Sequence, residues 1–182
     1  MRACERAFSI DPSFRSLTPR ACAAVNPTIT KISEMQETVV DKLVDINFKS
    51  HILLYIEVAK HLSQGASLVF VSSVTAFHPS LPLSLYAACK SGLLGLIKAL
   101  AQELAETGGR VNGVAPGYVP TNFSSSLMAD EQASDVLKGF TMLKRFGTPD
   151  EIANVVSFLL SSESSYVTGE TIVVAGGMQS RL

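Results

Sequence analysis

The sequence predicts an α/β protein whose core is a parallel, doubly wound sheet. Segments with the apolar spacing of amphipathic helices alternate with short β-branched runs, in the order helix, strand, helix, strand, helix, strand. Most of the connections between them have lengths that fit βα units. The run ASLVFVSS at 66–73 is apolar without alternation, as expected for a strand that is buried on both faces of a parallel sheet.

The first half of the chain begins without a clear element. Residues 1–24 show no sustained periodicity, so we expect a poorly ordered start that precedes a folded domain over 25–182. Apolar residues recur at helical spacing over 33–62, and Ser33 is a residue type that suits the N-cap of this helix. Because the segment is longer than a typical helix, we expect two helices, or one that bends near Asn47.

The later elements continue the alternation after the 66–73 strand. Residues 85–106 have a helical pattern, and 108–117 indicate a turn, a short strand and a Pro-Gly stop. The segment 118–148 is rich in Ser and Thr, and we expect it to be irregular. An amphipathic helix over 149–161 begins with a proline in its first turn. Residues 166–177 then indicate a turn, a strand and a glycine exit.

Composition disfavours several classes of function. Hydrophobic residues make up 47% of the chain and charged residues 17%, which is typical of a globular domain of 182 residues with a real core. The net charge is −1 without a basic block, so nothing indicates a nucleic-acid or anionic-membrane surface. No uninterrupted apolar run has the length of a bilayer span. The three cysteines lack metal-ligand spacing, and their odd number favours free thiols in a reducing compartment.

Both ends of the chain carry residues typical of targeting signals. The last three, Ser180-Arg181-Leu182, resemble the Ser-Lys-Leu tripeptide of peroxisomal proteins, although three residues also match by chance. The N-terminal segment has four arginines against two acidic residues over 1–23, which is a weak likeness to a transit peptide. We expect a peroxisomal location, with a cytoplasmic or mitochondrial one as the alternative.

Candidate functional residues follow the predicted strands. In doubly wound sheets, ligands bind at the carboxyl ends of the strands. The residues at those positions are Ser72 and Ser73, then 116–121, then Gly176 and Gly177. The sequence therefore directs attention to these three loops.

The first loop and the helix after it carry groups suited to proton transfer. Tyr86 and Lys90 are four residues apart and share one face of a helix. A phenol titrates near pH 10, and a neighbouring ammonium favours the phenolate, so we expect Lys90 to lower the pKa of Tyr86. Ser73 could donate to a substrate oxygen while the tyrosine gives or takes the proton. This chemistry suits the reduction of a carbonyl or the oxidation of an alcohol, which needs a hydride partner, usually a nicotinamide cofactor.

Simpler interpretations of these residues remain open. A Tyr-x-x-x-Lys spacing alone is weak, since most instances are ordinary side chains at a solvent edge. Ser73 alone could be a cap or turn serine. Residue types and spacing alone do not distinguish a catalytic role from these structural ones.

The ordered motifs favour the catalytic interpretation. VFVSSVTAF, YAACKSGLLGLIKALAQELA, GRVNGVAPGYVPT and GTPDEIANVVSFLLSSESSYVTGETIVVAGG together resemble the classical short-chain dehydrogenases/reductases over about residues 21–182. The resemblance implies the C-terminal portion of a Rossmann fold and an oxidoreductase. The implied substrates are small carbonyl compounds or alcohols, namely ketones, aldehydes or retinal, and the implied cofactor is NADP, with NAD as the alternative.

The family's functional residues fall on matching positions of this chain. The resemblance places the catalytic serine on Ser73, the tyrosine on Tyr86 and the lysine on Lys90. Asn47, in DINFKS, matches the asparagine that holds a water against the lysine in the family. Its alternative role is that of a helix-kink asparagine satisfied by the backbone, and in the family both roles occur together.

The cofactor residues implied by the resemblance lie in the same loops. Tyr86 and Lys90 would contact the cofactor as well as the substrate side. PGYVPT matches the family's Pro-Gly-x-x-x-Thr turn, and its residues would border the nicotinamide: Pro116, Gly117, Val119 and Thr121. An ordinary turn followed by a cap would use the same residue types.

Two family features do not appear in the sequence. The glycine-rich Thr-Gly-x-x-x-Gly-x-Gly turn, which holds a pyrophosphate at a helix N-terminus, has no counterpart, and the family's Asn-Asn-Ala-Gly stretch reads Ala-Cys-Ala-Ala at 21–24. We therefore expect a truncated Rossmann domain, and we keep a non-catalytic relative as an alternative function. Gly92 and Gly95 indicate close packing of their helix, which in the family forms the dimer interface, so a homo-oligomer or association with a full-length member is expected.

Overall fold

The structure is a computed structural model, and it describes residues 20–21, 24–25, 30–120 and 131–180. Four parallel strands form one sheet in the order β1-β2-β3-β4. Because all neighbouring pairs are parallel, the carboxyl ends of the strands meet at one edge. The strands are β1 (Arg20–Ala21), β2 (Ser67–Val71), β3 (Arg110–Pro116) and β4 (Thr171–Val174).

Helices connect the strands in the manner of βα units. Among the described residues they are α1 (Glu37–Val44), α2 (Ser50–Ala59), α3 (Ser84–Ala105), α4 (Glu131–Gly139) and α5 (Pro149–Leu160). A single π-helical turn, Asp45–Lys49, joins α1 to α2. Such widened turns inside α-helices are rare and often occur at functional sites.

The core has one cluster on each face of the sheet. On one face, α2 and α3 pack their apolar residues against Leu68, Phe70 and Val111 of the central strands. On the other face, α5 packs against Val69 and Val114. Successive side chains of β2 therefore enter opposite clusters, as a strand with period two requires. This confirms the predicted α/β class and the strand that is buried on both faces.

Local sequence explains how α5 begins. Thr148 caps the helix by accepting a hydrogen bond from the backbone N–H of Glu151, and the Glu151 carboxylate accepts one from the Thr148 N–H. This reciprocal capping box follows a Thr-Pro-Asp-Glu sequence, with proline at the first helical position. The helix predicted from Pro149 is confirmed.

The long helical segment is interrupted where the sequence suggested. Two α-helices meet at the π-helical turn that contains Asn47, which confirms the prediction of two helices rather than one. The expected N-cap is wrong, however. Ser33 lies in a short 3-10 turn, Ile32–Glu34, and α1 begins only at Glu37, with Gln36 at its N-cap position.

The structure corrects the expectation for the segment 118–148. The segment 118–148, expected to be irregular, contains α4, a short helix of mostly polar residues. Helix α3 has the length and apolar composition of a membrane-spanning segment, and here its apolar face packs on the sheet.

Of residues 1–24, most lie outside the described part of the chain, although 20–21 form β1.

Candidate active site

The loop after β2 and the first turns of α3 lie at the carboxyl edge of the sheet. The backbone N–H of Ser72 donates to the Val114 carbonyl in β3 at 2.8 Å, so the loop leaves the sheet beside its neighbouring strand. Ser91 of α3 donates its hydroxyl to the Ala76 carbonyl at 2.7 Å. The loop and the helix are thus fixed against each other.

The two adjacent serines have different environments. The buried Ser72 hydroxyl donates to the backbone carbonyl of Lys90 at 2.9 Å, which joins the strand end to α3. Ser73 is half-buried, and its hydroxyl oxygen accepts hydrogen bonds from the N–H and the hydroxyl of Thr75, at 3.2 and 2.9 Å. Two accepted bonds leave the Ser73 O–H as a donor. Ser72 therefore joins the strand to the helix, and the donor role of Ser73 towards a substrate stays a prediction.

Tyr86 lies at the start of α3 and is only 7% exposed. Burial raises its pKa to about 12, and a hydrogen bond with Ser73 lowers the pKa by less. The net shift is therefore upward, opposite to the lowering expected from the sequence, and the effect of Lys90 on this pKa stays a prediction. Desolvation of the phenolate dominates in this structure, because burial removes the water that would stabilise its charge.

Lys90 lies one helical turn further along α3 and is 1% exposed. Its Nζ donates to the Val71 carbonyl at the end of β2 at 3.0 Å and lies 5.9 Å from the centre of the Tyr86 ring. A lysine is almost never buried without partners. The carbonyl and the ring face hold the ammonium on the same side of α3 as the tyrosine, as the four-residue spacing predicts.

Asn47 is fully buried in the π-helical turn. Its side-chain amide donates to the carbonyls of Val25 and Leu43, both at 2.9 Å, and its side-chain oxygen accepts from the Val25 N–H at 3.0 Å. These contacts tie the bend to the segment that follows β1. They match the alternative of a kink asparagine satisfied by the backbone, and the relay role of Asn47 stays a prediction.

The predicted cofactor turn follows β3. Pro116 is the last residue of that strand, and the Gly117 N–H donates to the Val174 carbonyl of β4 at 2.9 Å. A Cβ on Gly117 would lie 2.8 Å from the Cα of Ala175, so glycine permits the close approach of the two strand ends. Val119 is half-buried, and Thr121 lies outside the described residues.

An open pocket lies beside this turn, at the ends of β3 and β4. Tyr118, Gly147, Ile152, Val174 and Gly176 are among its lining residues. The catalytic side chains predicted from the sequence do not line it. Of the two glycines at the β4 exit, Gly176 lines this pocket, and Gly177 packs against Met142.

A buried histidine in α2 is a polar residue of this region that the sequence analysis missed. His51 is 1% exposed, and its Nε2 has no hydrogen-bond partner among the described residues. The signal that could have found it is its position one helical turn after Asn47, where helical residues share a face.

The donors at this edge fit the nicotinamide end of a dinucleotide. Ser73 offers an O–H, Tyr86 a phenol and Lys90 an ammonium, and all three lie near the ends of β2 and β3. These groups suit ribose hydroxyls and a substrate oxygen.

Comparison with a family model supports one family across most of the chain. Residues 20–179 match the model described as Enoyl-(Acyl carrier protein) reductase. Among curated proteins, tropinone reductase-like 3 of Erythroxylum coca is 49% identical over 160 residues, which are 88% of this chain and 62% of that protein.

Two other relatives have similar identities. Short-chain dehydrogenase/reductase SDRA of Arabidopsis thaliana is 47% identical and aligns with 88% of this chain and 63% of its own length. Human dehydrogenase/reductase SDR family member 4 is 45% identical, with 88% and 58% covered. The chain therefore spans about three fifths of the length of these relatives.

Solved structures show the same fold. A short-chain dehydrogenase/reductase from Brucella melitensis, described as a glucose/ribitol dehydrogenase, superposes with a TM-score of 0.81 at 34% identity over 87% of this chain and 63% of its own. A candidate 2-deoxy-D-gluconate 3-dehydrogenase of Agrobacterium tumefaciens with bound NADP gives 0.79 at 30% identity over 85% and 63%.

Proposed function

The chain belongs to the short-chain dehydrogenase/reductase family, and we propose that its site interconverts carbonyl compounds and alcohols with NADP as the cofactor. The observation that carries the proposal is the hydrogen bond between Ser73 and Tyr86 beside the buried Lys90. Three groups with complementary proton chemistry meet at the sheet edge where ligands of such folds bind.

In the direction of reduction, the carbonyl carbon gains a hydride and the carbonyl oxygen gains a proton. Tyr86 supplies that proton from its hydroxyl, and the Ser73 O–H hydrogen bonds to the same oxygen while charge develops on it. A bound nicotinamide supplies the hydride. In the direction of oxidation, the tyrosine accepts the proton instead.

Lys90 acts on this proton transfer through its charge. The pKa of about 12 that burial gives Tyr86 suits a proton donor and opposes the phenolate that donation leaves behind. A buried ammonium beside the ring stabilises that phenolate as it forms. Asn47 would complete the relay behind the lysine.

The family resemblance supports the proposed cofactor and substrates. One structural neighbour has NADP bound, and the turn with Pro116, Gly117, Val119 and Thr121 would border its nicotinamide. NAD is the alternative cofactor. Ketones, aldehydes and retinal are the proposed carbonyl substrates, in line with the likeness to dehydrogenase/reductase SDR family member 4.

Association and location follow from the same likeness. Members of the family usually form oligomers, and we propose a homo-oligomer, or a complex with a full-length member, in which α3 lies at the interface. The proposed location is peroxisomal because the chain ends in Ser-Arg-Leu.

One sequence observation favours a different function. The 182 residues contain no glycine-rich turn of the family type, which would otherwise hold the pyrophosphate. A non-catalytic relative that associates through its helices is therefore the second candidate. Binding of NADPH by the purified chain separates the two.

The test of the proposed activity is a Tyr86→Phe substitution. NADPH consumption is measured with a panel of ketones, aldehydes and retinal, and NADPH binding is followed by calorimetry. We expect Tyr86→Phe to lower kcat by about 100-fold or more while binding and folding persist, because only the proton donor is removed.

Tyr55→Phe is the matched control. It removes a hydroxyl that donates to Glu103 at 3.0 Å, away from the loops at the strand ends, and should leave kcat unchanged. A wild-type chain that binds no NADPH at millimolar concentration would overturn the proposal in favour of the second candidate.

A further inference from the structure

His51 occupies a position between the π-helical turn and the end of β2. It lies four residues after Asn47, and its ring packs against Phe70 of β2 with 6.1 Å between ring centres. The next residue of β2, Val71, accepts the hydrogen bond from Lys90. His51 and Lys90 thus approach consecutive residues of one strand from two different helices.

Neighbouring hydrogen bonds determine which nitrogen of His51 carries the proton. The Ser50 hydroxyl donates to the Ile46 carbonyl at 2.6 Å, which uses its one proton. Its oxygen lies 3.3 Å from His51 Nδ1, and with that proton used it can only accept. The proton of the neutral imidazole is therefore on Nδ1, and the buried Nε2 carries a lone pair.

His51 stays neutral near pH 7. Burial, and next the positive charge of Lys90, lower its pKa to about 4. Lys90 of α3 is the charged group that faces the ring. The other neighbours given for the ring are the Ser50 hydroxyl of its own helix and the uncharged Phe70 of β2. The ring is therefore an acceptor that hydrogen bonds without taking a proton.

We propose that His51 is a positioning residue whose Nε2 lone pair holds the Lys90 ammonium in place through a bridging water. Nε2 has no partner among the described residues, and a buried acceptor beside a cation is the environment in which ordered water bridges. The inference rests on the proposed function, because the ammonium matters there for the phenolate of Tyr86. The water-bridged hydrogen bond between His51 and Lys90 can be tested whether or not the chain is active.

A purely structural histidine would use the ring only for its volume. Such a role predicts that leucine or phenylalanine replaces it without consequence for Lys90. The fixed tautomer argues for the acceptor role, because a ring that only fills space has no need of an oriented lone pair. The two roles therefore differ in what happens to the lysine.

The first test is nitrogen-15 NMR of the histidine-labelled full chain. We expect His51 to show the neutral tautomer with the proton on Nδ1 from pH 8 down to pH 5. Ser50→Ala should allow both tautomers, since the acceptor for Nδ1–H is lost. A ring protonated on Nε2, or charged at pH 6, would overturn the proposal.

The second test follows Lys90 directly through its Cε carbon-13 signal, assigned with Lys90→Arg. His51→Leu should lower the pKa of the Lys90 ammonium, because a hydrogen bond to the charged form favours that form. His51→Gln, which offers a carbonyl acceptor, should restore it at least in part. His61→Leu removes an exposed imidazole and should change nothing.

Activity gives a third readout that separates this proposal from the proposed function. If the chain turns over NADPH, His51→Leu should lower kcat about fivefold with little change in KM, as expected for losing one hydrogen bond to a charged group, and His51→Gln should lower it less. If the chain is inactive, the two NMR tests still decide the proposal. An unchanged Lys90 signal in a folded His51→Leu or His51→Ala variant would overturn it.

Discussion

At the residue scale, burial determines the chemistry of the candidate site more than charge does. Tyr86, Lys90 and His51 are each less than a tenth exposed, and desolvation is the first cause of the pKa shifts of the tyrosine and the histidine. Burial disfavours the charged form of each group, so it raises the pKa of the phenol and lowers the pKa of the imidazole. Tyr86 and His51 are therefore both neutral beside the Lys90 ammonium. The neutral tyrosine carries the proton that it would donate.

The lowered pKa of His51 makes the stability of the fold depend on pH. The value falls from 6.5 in the unfolded chain to about 4 in the fold, so between these values the unfolded chain binds a proton that the folded chain does not. The free energy of unfolding therefore falls as the pH drops from 6.5 to 4, by about 3 kcal/mol at most. Urea unfolding at pH 7, 5.5 and 4.5 measures this decrease.

Replacement of His51 by leucine should make that decrease smaller by the same amount. Glu151, whose pKa is lowered to about 2 by its hydrogen bond with Arg145, contributes in a separate window. Its stabilisation is present above pH 4.5 and is lost as the pH falls towards 2, so it does not interfere above pH 4.5. Equal slopes for wild type and His51→Leu between pH 6.5 and 4.5 would contradict this interpretation.

At the scale of elements, the widened turn and α3 determine where the site lies. The π-helical turn directs Asn47 towards Val25 and places Phe48 against α3. A Cβ at Gly92 would lie 2.9 Å from the Phe48 ring, whereas a Cβ at Gly95 would meet nothing within 4 Å. Packing among the described residues therefore requires glycine at Gly92 and not at Gly95, although the sequence analysis gave both glycines the same reason.

Replacing each glycine by alanine should distinguish the close packing at Gly92 from the open space at Gly95. Gly95→Ala should raise the free energy of unfolding by about 1 kcal/mol, from helix propensity alone. Gly92→Ala should gain less or lose stability, because the Phe48 ring next to Asn47 must move. Urea unfolding measures both, and a larger gain for Gly92→Ala would contradict the packing argument.

Light scattering on the same variants tests the proposed oligomer. If α3 lies at an interface between copies, Gly95→Ala should weaken association although it stabilises the helix, since a methyl group would enter that contact. Association that is unchanged in Gly95→Ala would place the interface elsewhere.

At the scale of the whole molecule, one arginine joins the distant parts of the C-terminal half. The Arg110 guanidinium at the start of β3 donates to the carbonyls of Leu159, Ser161 and Val167 and to the Ser164 hydroxyl, at 2.9–3.3 Å. These acceptors lie at the end of α5 and in the connection to β4. Five N–H donors in a fixed planar fork suit such a cluster, and the cluster sets β4 beside β3 and hence the turn that follows β3.

The proposed location is a property of the whole chain and is tested in cells. A fluorescent protein fused to the N-terminus leaves Ser180-Arg181-Leu182 free, and we expect it to overlap with a peroxisomal marker. Deletion of these three residues should make the signal diffuse. A mitochondrial pattern, or a peroxisomal one that survives the deletion, would contradict the proposal.

The sequence by itself determined what depends on near neighbours along the chain. The capping box at Thr148, the buried strand at 66–73 and the shared face of Tyr86 and Lys90 all follow from spacings of at most a few residues. Helix and strand periods fix such relations before any tertiary contact forms. The family motifs extended this to Ser73, whose hydrogen bond with Tyr86 spans thirteen residues.

Only the tertiary structure decided the contacts between distant segments. The fold places the Ser72 hydroxyl within hydrogen-bond distance of the Lys90 carbonyl, and Asn47 against the backbone of Val25. It also brings His51 close enough to Lys90 for the ammonium to lower the pKa of the histidine. It also showed that burial raises the pKa of Tyr86. The physical reason is that hydrogen bonding and desolvation depend on which groups meet in space, and the packing of helices on the sheet, which no local period encodes, brings them together.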